Sequence, residues 1–127
     1  MKNKDNTRCV FCEIINGNSE ERRITYEDEL IVAFPDKNPA TKGHTLIIPK
    51  QHFKDIFEIP EEILGQIGKM FKVLAKRLCD EHNATGVNIM HASGKDAEQS
   101  VFHLHFHVVP RYPEDNLKMW FHSRDKI

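Results

Sequence analysis

One stretch of the chain, SVFHLHFHVVPR (Ser100 to Arg111), carries histidines at alternate positions: His103, His105 and His107. An imidazole can donate or accept a hydrogen bond, change charge near neutral pH and attack an electrophile. On a β-strand successive side chains face opposite ways, so the histidines would share one face and Leu104, Phe106 and Val108 the other. At a rise of about 3.3 Å per residue, the Cα atoms of His103 and His107 would lie roughly 13 Å apart. Zinc binds nitrogen at about 2.1 Å, so one ion cannot readily gather all three from a straight strand, although an adjacent pair can share a metal. A single histidine is usually just part of a polar face. Three in register suit an anionic, phosphate-bearing substrate.

Other reactive types are scattered. Cys9-x-x-Cys12 alone reads as a redox pair or as two ordinary thiols, and no βαβ pattern surrounds it to favour a thioredoxin-like role. Asp36, ahead of Asn38 and Pro39, has the setting of a turn aspartate. His82 suits the negative end of a helix dipole, and His122 falls in a polar tail.

The elements that must position these groups follow from patterning. CVFCEIINGN predicts a short helix stopped at Gly17, and the polar link SEERR follows. ITYEDELIVAFPD predicts a hairpin turning at Glu27 to Glu29. HTLIIPK predicts a strand buried on both faces. Pro60 suits a first helical position, Glu61 and Glu62 favour the positive dipole end, and Lys76 and Arg77 suit the final turn. Between them Ile63, Ile67, Met70, Leu74 and Leu78 form one apolar stripe, a core face, with Cys79 as a small buried hydrophobe. GVNIMHA and VFHLHFHVV predict two more strands, separated by the polar loop SGKDAEQ. The order strands, helix, strands indicates an α+β fold with an antiparallel sheet.

Composition narrows the class. The 127 residues suit one domain, 1–127, with 1–8 a flexible terminus and 112–127 a C-terminal tail. With 18 basic and 19 acidic residues the formal charge is −1, so no global field favours nucleic acid or an anionic membrane. No apolar run reaches spanning length, and MKNKDNTR lacks a signal-peptide core, which points to the cytoplasm. Three cysteines argue against a disulfide scaffold.

Three segments, CVFCEII, FPDKNPATKGHTLIIPKQH and QSVFHLHFHVVPR, resemble in order and spacing those of bacterial histidine triad (HIT) proteins and the related nucleoside phosphoramidate hydrolases. The resemblance covers most of residues 9 to 112. It implies a HIT-like fold with one long helix, a short N-terminal helix, and sheets joined across a homodimer. It implies a nucleotide hydrolase or nucleotidyl transferase acting on a purine nucleotide, with a phosphoramidate or dinucleoside polyphosphate as substrate. A sensor or scaffold with little turnover is the rival, and a metalloenzyme using paired triad histidines a third.

Residue by residue, the resemblance makes His105 the nucleophile on the α-phosphorus, its other ring nitrogen donating to a backbone carbonyl. His107 would contact the phosphate oxygens and Ser100 the phosphate or leaving group, with Gln99 beside it. His44 would support the catalytic network, and Asp36 would hold the ribose hydroxyls. Phe34 would line the base pocket or the core. His91 lies where related proteins commonly carry asparagine, and the loop Ser93 to Glu98 is longer. Cys9, Cys12, His52 and His103 match a closed Cys₂His₂ structural zinc site. The tail, with Trp120 and Phe121, resembles one that can reach the other subunit's site.

Overall fold

The structure, a computed structural model, describes residues 9–17 and 23–121; the segment 1–8, most of the link after Gly17, and His122 lie outside them. Helix α1 (Val10–Ile15) is followed by strands β1 (Tyr26–Glu27), β2 (Ile31–Pro35) and β3 (Thr45–Pro49), helix α2 (Glu61–His82), strand β4 (Gly86–His91), a 3₁₀ turn (Lys95–Ala97) and strand β5 (Phe106–Arg111). The strands form one sheet in the order β1-β2-β3-β5-β4, antiparallel at every pairing. The α+β expectation holds.

The first hairpin forms because Asp28 closes it. Its Oδ1 accepts from Leu30 and Ile31 N–H at 2.8 and 2.9 Å, so the turn lies at Asp28 to Leu30, while Glu27 belongs to β1. β3 is buried throughout, as its unbroken apolar run predicts. One sheet face carries Ile31, Ala33, Ile47, Phe106 and Val108 against Ile63, Ile67, Met70, Leu74 and Leu78 of α2. Truncating a residue such as Leu74 to Ala costs about 2–5 kcal/mol. The other face carries Val32, Phe34, Leu46 and Ile48 against Cys9, Phe11 and Cys12 at α1.

Three sequence expectations need correction. Pro60 caps α2 from outside, extended at ψ 147°, its carbonyl accepting from Leu64 N at 3.0 Å. The helix continues past Lys76 and Arg77 to His82 and ends at left-handed Asn83. Arg77 instead donates to Thr25 O at 2.7 Å, tying α2 to the sheet edge. Cys79 is only half-buried, its thiol facing Gly86 O at 3.6 Å, outside the core.

The histidine strand also starts later than expected. β5 pairs with β3 only as far as Ile47↔Phe106. Two positions beyond Ile47 stands Pro49, which has no N–H to donate and whose carbonyl accepts from His103 Nε2 at 2.8 Å. Residues 101–105 therefore leave the ladder, and Leu104 N bonds Phe53 O at 2.7 Å. The alternation of faces survives: Leu104 joins Phe106 and Val108 under α2. After β5, Arg111 grips Asp115 with two bonds of 2.9 Å, reaches Asn88 at 2.8 Å and also bonds the Leu117 carbonyl, pinning the start of the tail.

Candidate functional site

Two clusters of side chains flank residues 103–107. The first lines a cleft of about 480 Å³ bounded by Phe11, Phe34, Asp36, Ser100, His105 and His107. His105 is buried, and its Nδ1 lies 2.9 Å from the His103 carbonyl. A carbonyl only accepts, so Nδ1 carries the proton and Nε2 keeps its lone pair. Burial lowers the pKa of His105, the bond to His103 opposing it, so the ring stays neutral. The edge of Phe11 holds that ring at 5.1 Å between centroids.

His107 has the opposite tautomer. Ala40 N–H donates to His44 Nδ1 at 2.9 Å, so His44 Nε2 bears the proton and donates to His107 Nδ1, also at 2.9 Å. His107 Nε2 is then the protonated nitrogen. Burial, followed by the neighbouring His105 and His44, pushes the pKa of His107 down to about 4. One cleft therefore holds a bare imidazole nitrogen beside an imidazole donor.

His44 is placed by a tight loop. Its amide bonds Thr41 O at 3.1 Å, and its carbonyl accepts from Asp36 N at 3.0 Å. Gly43 makes the turn at φ +92°, and a Cβ there would meet the His82 ring at 2.7 Å. Asp36 does what a turn aspartate does, Oδ1 accepting from Asn38 N at 2.8 Å. Its Oδ2 faces His44 Nε2 at 3.4 Å and His107 Nδ1 at 4.0 Å. Asp36, His44 and His107 are close enough to suggest a metal cluster. The tautomers oppose it, because ligation by His44 Nε2 would remove the proton that the Ala40 bond requires there.

The second cluster is Cys9, Cys12, His52 and His103. Cys9 caps α1, its Sγ accepting from Cys12 N at 3.3 Å. Cys12 Sγ lies 3.2 Å from His52 Nδ1 and 3.4 Å from His103 Nδ1, Cys9 Sγ 3.4 Å from the latter, and the two Nδ1 atoms 3.1 Å apart. Tetrahedral zinc with ordinary bond lengths separates such ligand atoms by about 3.3 to 3.8 Å. His103 Nε2 donates to Pro49 O and His52 bonds the Phe102 backbone, so second-sphere partners orient both rings. Burial, reinforced by Cys9, pushes the Cys12 thiol up to about 12. Such thiols ionise readily only beside a cation, and the donor set fits zinc.

The domain model described as the HIT domain matches residues 18–114. The chain belongs to the HIT family. It is 41% identical over 104 residues to "Protein hit" of Bacillus subtilis, covering 82% of this chain and 71% of that protein. A Zn-bound histidine triad family protein from Mycobacterium smegmatis superposes with a TM-score of 0.81 at 40% identity, over 87% of this chain and 79% of that one. Adenylylsulfatase HINT3 of Arabidopsis thaliana is 33% identical over 109 residues, 86% of this chain and 55% of that protein.

Within this HIT chain the expected residues are brought together with one exception. Ser100 lines the cleft. Gln99 turns away: Oε1 accepts from Gly94 N at 2.7 Å, and Nε2 donates to Lys54 O and Val101 O at 2.7 and 3.0 Å. These bonds occupy the buried amide, and Gln99 is not among the residues that line the cleft. Phe34 is packed in the core and also lines the cleft. Sequence reasoning missed Phe11 as the wall behind His105. The signal was there, an aromatic residue between the two cysteines of the Cys9-x-x-Cys12 motif.

Proposed function

We propose that this chain is a nucleotide hydrolase or nucleotidyl transferase that works through a covalent nucleotidyl-histidine on His105. The observation that carries the reading is the pair of opposite tautomers in one cleft. His105 Nε2 attacks the α-phosphorus of a nucleoside 5′-phosphoryl compound. The N–P bond forms as the bond to the leaving group breaks, and that group departs with the electron pair and takes a proton from water. The positive charge left on the ring is stabilised by the Nδ1–H bond to the His103 carbonyl. His107 Nε2–H donates to the phosphate oxygens as their charge grows, with Ser100 beside them and His44 holding the donor tautomer. Water then attacks phosphorus and gives up a proton to the hydroxide left when the leaving group was protonated. The N–P bond breaks with its electron pair returning to Nε2, and neutral His105 is restored.

Asp36 Oδ2 accepts from the ribose hydroxyls, and Phe34 with Phe11 offers an apolar wall to a purine. The similarity to the Arabidopsis adenylylsulfatase supports cleavage at an activated adenylyl group. Cys9, Cys12, His52 and His103 would hold structural zinc, which supplies a rigid joint between α1 and the triad segment. Reduced thiols suit the cytoplasm. Two chains join along β4, whose outer edge has no partner strand among the described residues and which exposes Val87, Ile89 and Met90. Among the described residues no helix is long and apolar enough to cross a membrane.

A turnover panel of nucleoside phosphoramidates, dinucleoside polyphosphates and acyl or sulfo nucleotidyl compounds tests the reading. Release of nucleoside monophosphate from at least one class is expected. Nucleotide binding without turnover of any class would contradict it and favour a sensor.

A further inference from the structure

We propose that His91 is a positioning residue for His105, acting through the His105 backbone carbonyl and without touching substrate. The proposal rests on His105 being the attacking group.

The β4–β5 ladder ends at the pair His91↔Phe106, so the His105 carbonyl lies one step past the last paired residue. A side chain takes over there. His91 Nδ1 lies 2.9 Å from His105 O. Ser93 selects the donating tautomer: its Oγ accepts from Ile56 N–H at 2.9 Å and lies 2.5 Å from His91 Nε2. The hydroxyl proton therefore points to Nε2, and Nδ1 carries the ring proton. The His91 ring also stacks on Phe106 at 4.4 Å between centroids and 27° between planes.

His105 is thus held from both sides by imidazole-to-carbonyl bonds. Its own Nδ1–H fixes the ring on the His103 carbonyl, and His91 fixes the peptide that follows. This matters because residues 101–105 lie outside the sheet, where ladder bonds would otherwise set their angles. His91 does not line the cleft, so its effect belongs to the rate and not to nucleotide affinity. Attack on phosphorus demands alignment, and a displacement of 1 Å can cost roughly 10²-fold.

Three variants separate the contributions. His91→Phe keeps a ring over Phe106 and removes the donor. His91→Asn places an amide Nδ2 where Nδ1 stands and retains it. Ser93→Ala leaves the imidazole but frees its tautomer. On a nucleoside phosphoramidate, His91→Phe should lower kcat about 10- to 100-fold, with the Kd for nucleoside monophosphate unchanged. His91→Asn should recover most of the rate, and Ser93→Ala should show a smaller fall in kcat. Without substrate, the His105 ring 15N resonances should broaden in His91→Phe and stay sharp in His91→Asn.

Parental kcat and sharp His105 resonances in His91→Phe would overturn the proposal, as would equal losses in His91→Phe and His91→Asn. Should His91→Phe fail to fold, parental kcat in Ser93→Ala overturns it instead. A parent protein that turns over nothing counts against covalent catalysis, while the ring resonances still decide whether His91 positions His105.

Discussion

His44 Nε2 lies 2.9 Å from His107 Nδ1, and this contact makes His107 a donor toward the cleft. The Ala40 amide at His44 Nδ1 sets its direction. Removing the donor by His44→Leu should let His107 adopt the wrong tautomer and lower kcat, on the order of 10-fold or more by analogy with loss of an oxyanion donor. His44→Gln, which can still donate near the place of Nε2, should retain more of the rate. Steady-state kinetics of the two variants checks the order.

A pH dependence of stability follows from His107. Its folded pKa of about 4 lies below the ordinary 6.5, so between those values the unfolded chain binds a proton that the native ring refuses. Stability is full above about pH 6.5 and falls as pH drops toward about 4. Melting temperatures across that window should decline less steeply in His107→Gln than in the parent; parallel curves would place the titration elsewhere.

The cysteine and histidine cluster predicts about one zinc per chain, read by elemental analysis of protein purified without added metal. Cys9→Ser should lower Tm by several degrees, since 1 kcal/mol shifts a chain of this size by about 2–8 °C. Its kcat at a temperature where it stays folded should change less than that of His105→Ala. A Cys9→Ser protein with parental Tm and lost activity would contradict the structural role.

Joining of two chains along β4 predicts a dimer by light scattering at micromolar concentration. Ile89, exposed on that strand, is the place to break it. Ile89→Lys should give a monomer, and a parent already monomeric would remove the interface.

The sequence made local periodicity easy to read and termination hard. The α2 stripe from Ile63 to Leu78 is the buried face, because a 3.6-residue period survives packing. The end of that helix depended on Asn83 taking a left-handed backbone, which the basic residues Lys76 and Arg77, well before it, could not announce. The triad segment was legible as an alternation of faces but not as a strand end, since its pairing stops two residues short of a proline on a different strand, Pro49. Gln99 and His91 show the same limit. Each bonds a backbone carbonyl that only the fold brings near, Lys54 O for Gln99 and His105 O for His91, so residue type gave no hint of direction.

The central claim is that His105 becomes covalently attached to the nucleotide. Brief reaction with a nucleoside 5′-phosphoramidate, quenched without acid and followed by peptide mass mapping, reads it directly. The account predicts one nucleoside monophosphate mass on the peptide containing His105, absent in His105→Ala, while that variant still binds nucleotide through Asp36 and His107. Turnover by His105→Ala at the parental rate, or an adduct located on another residue, would contradict it.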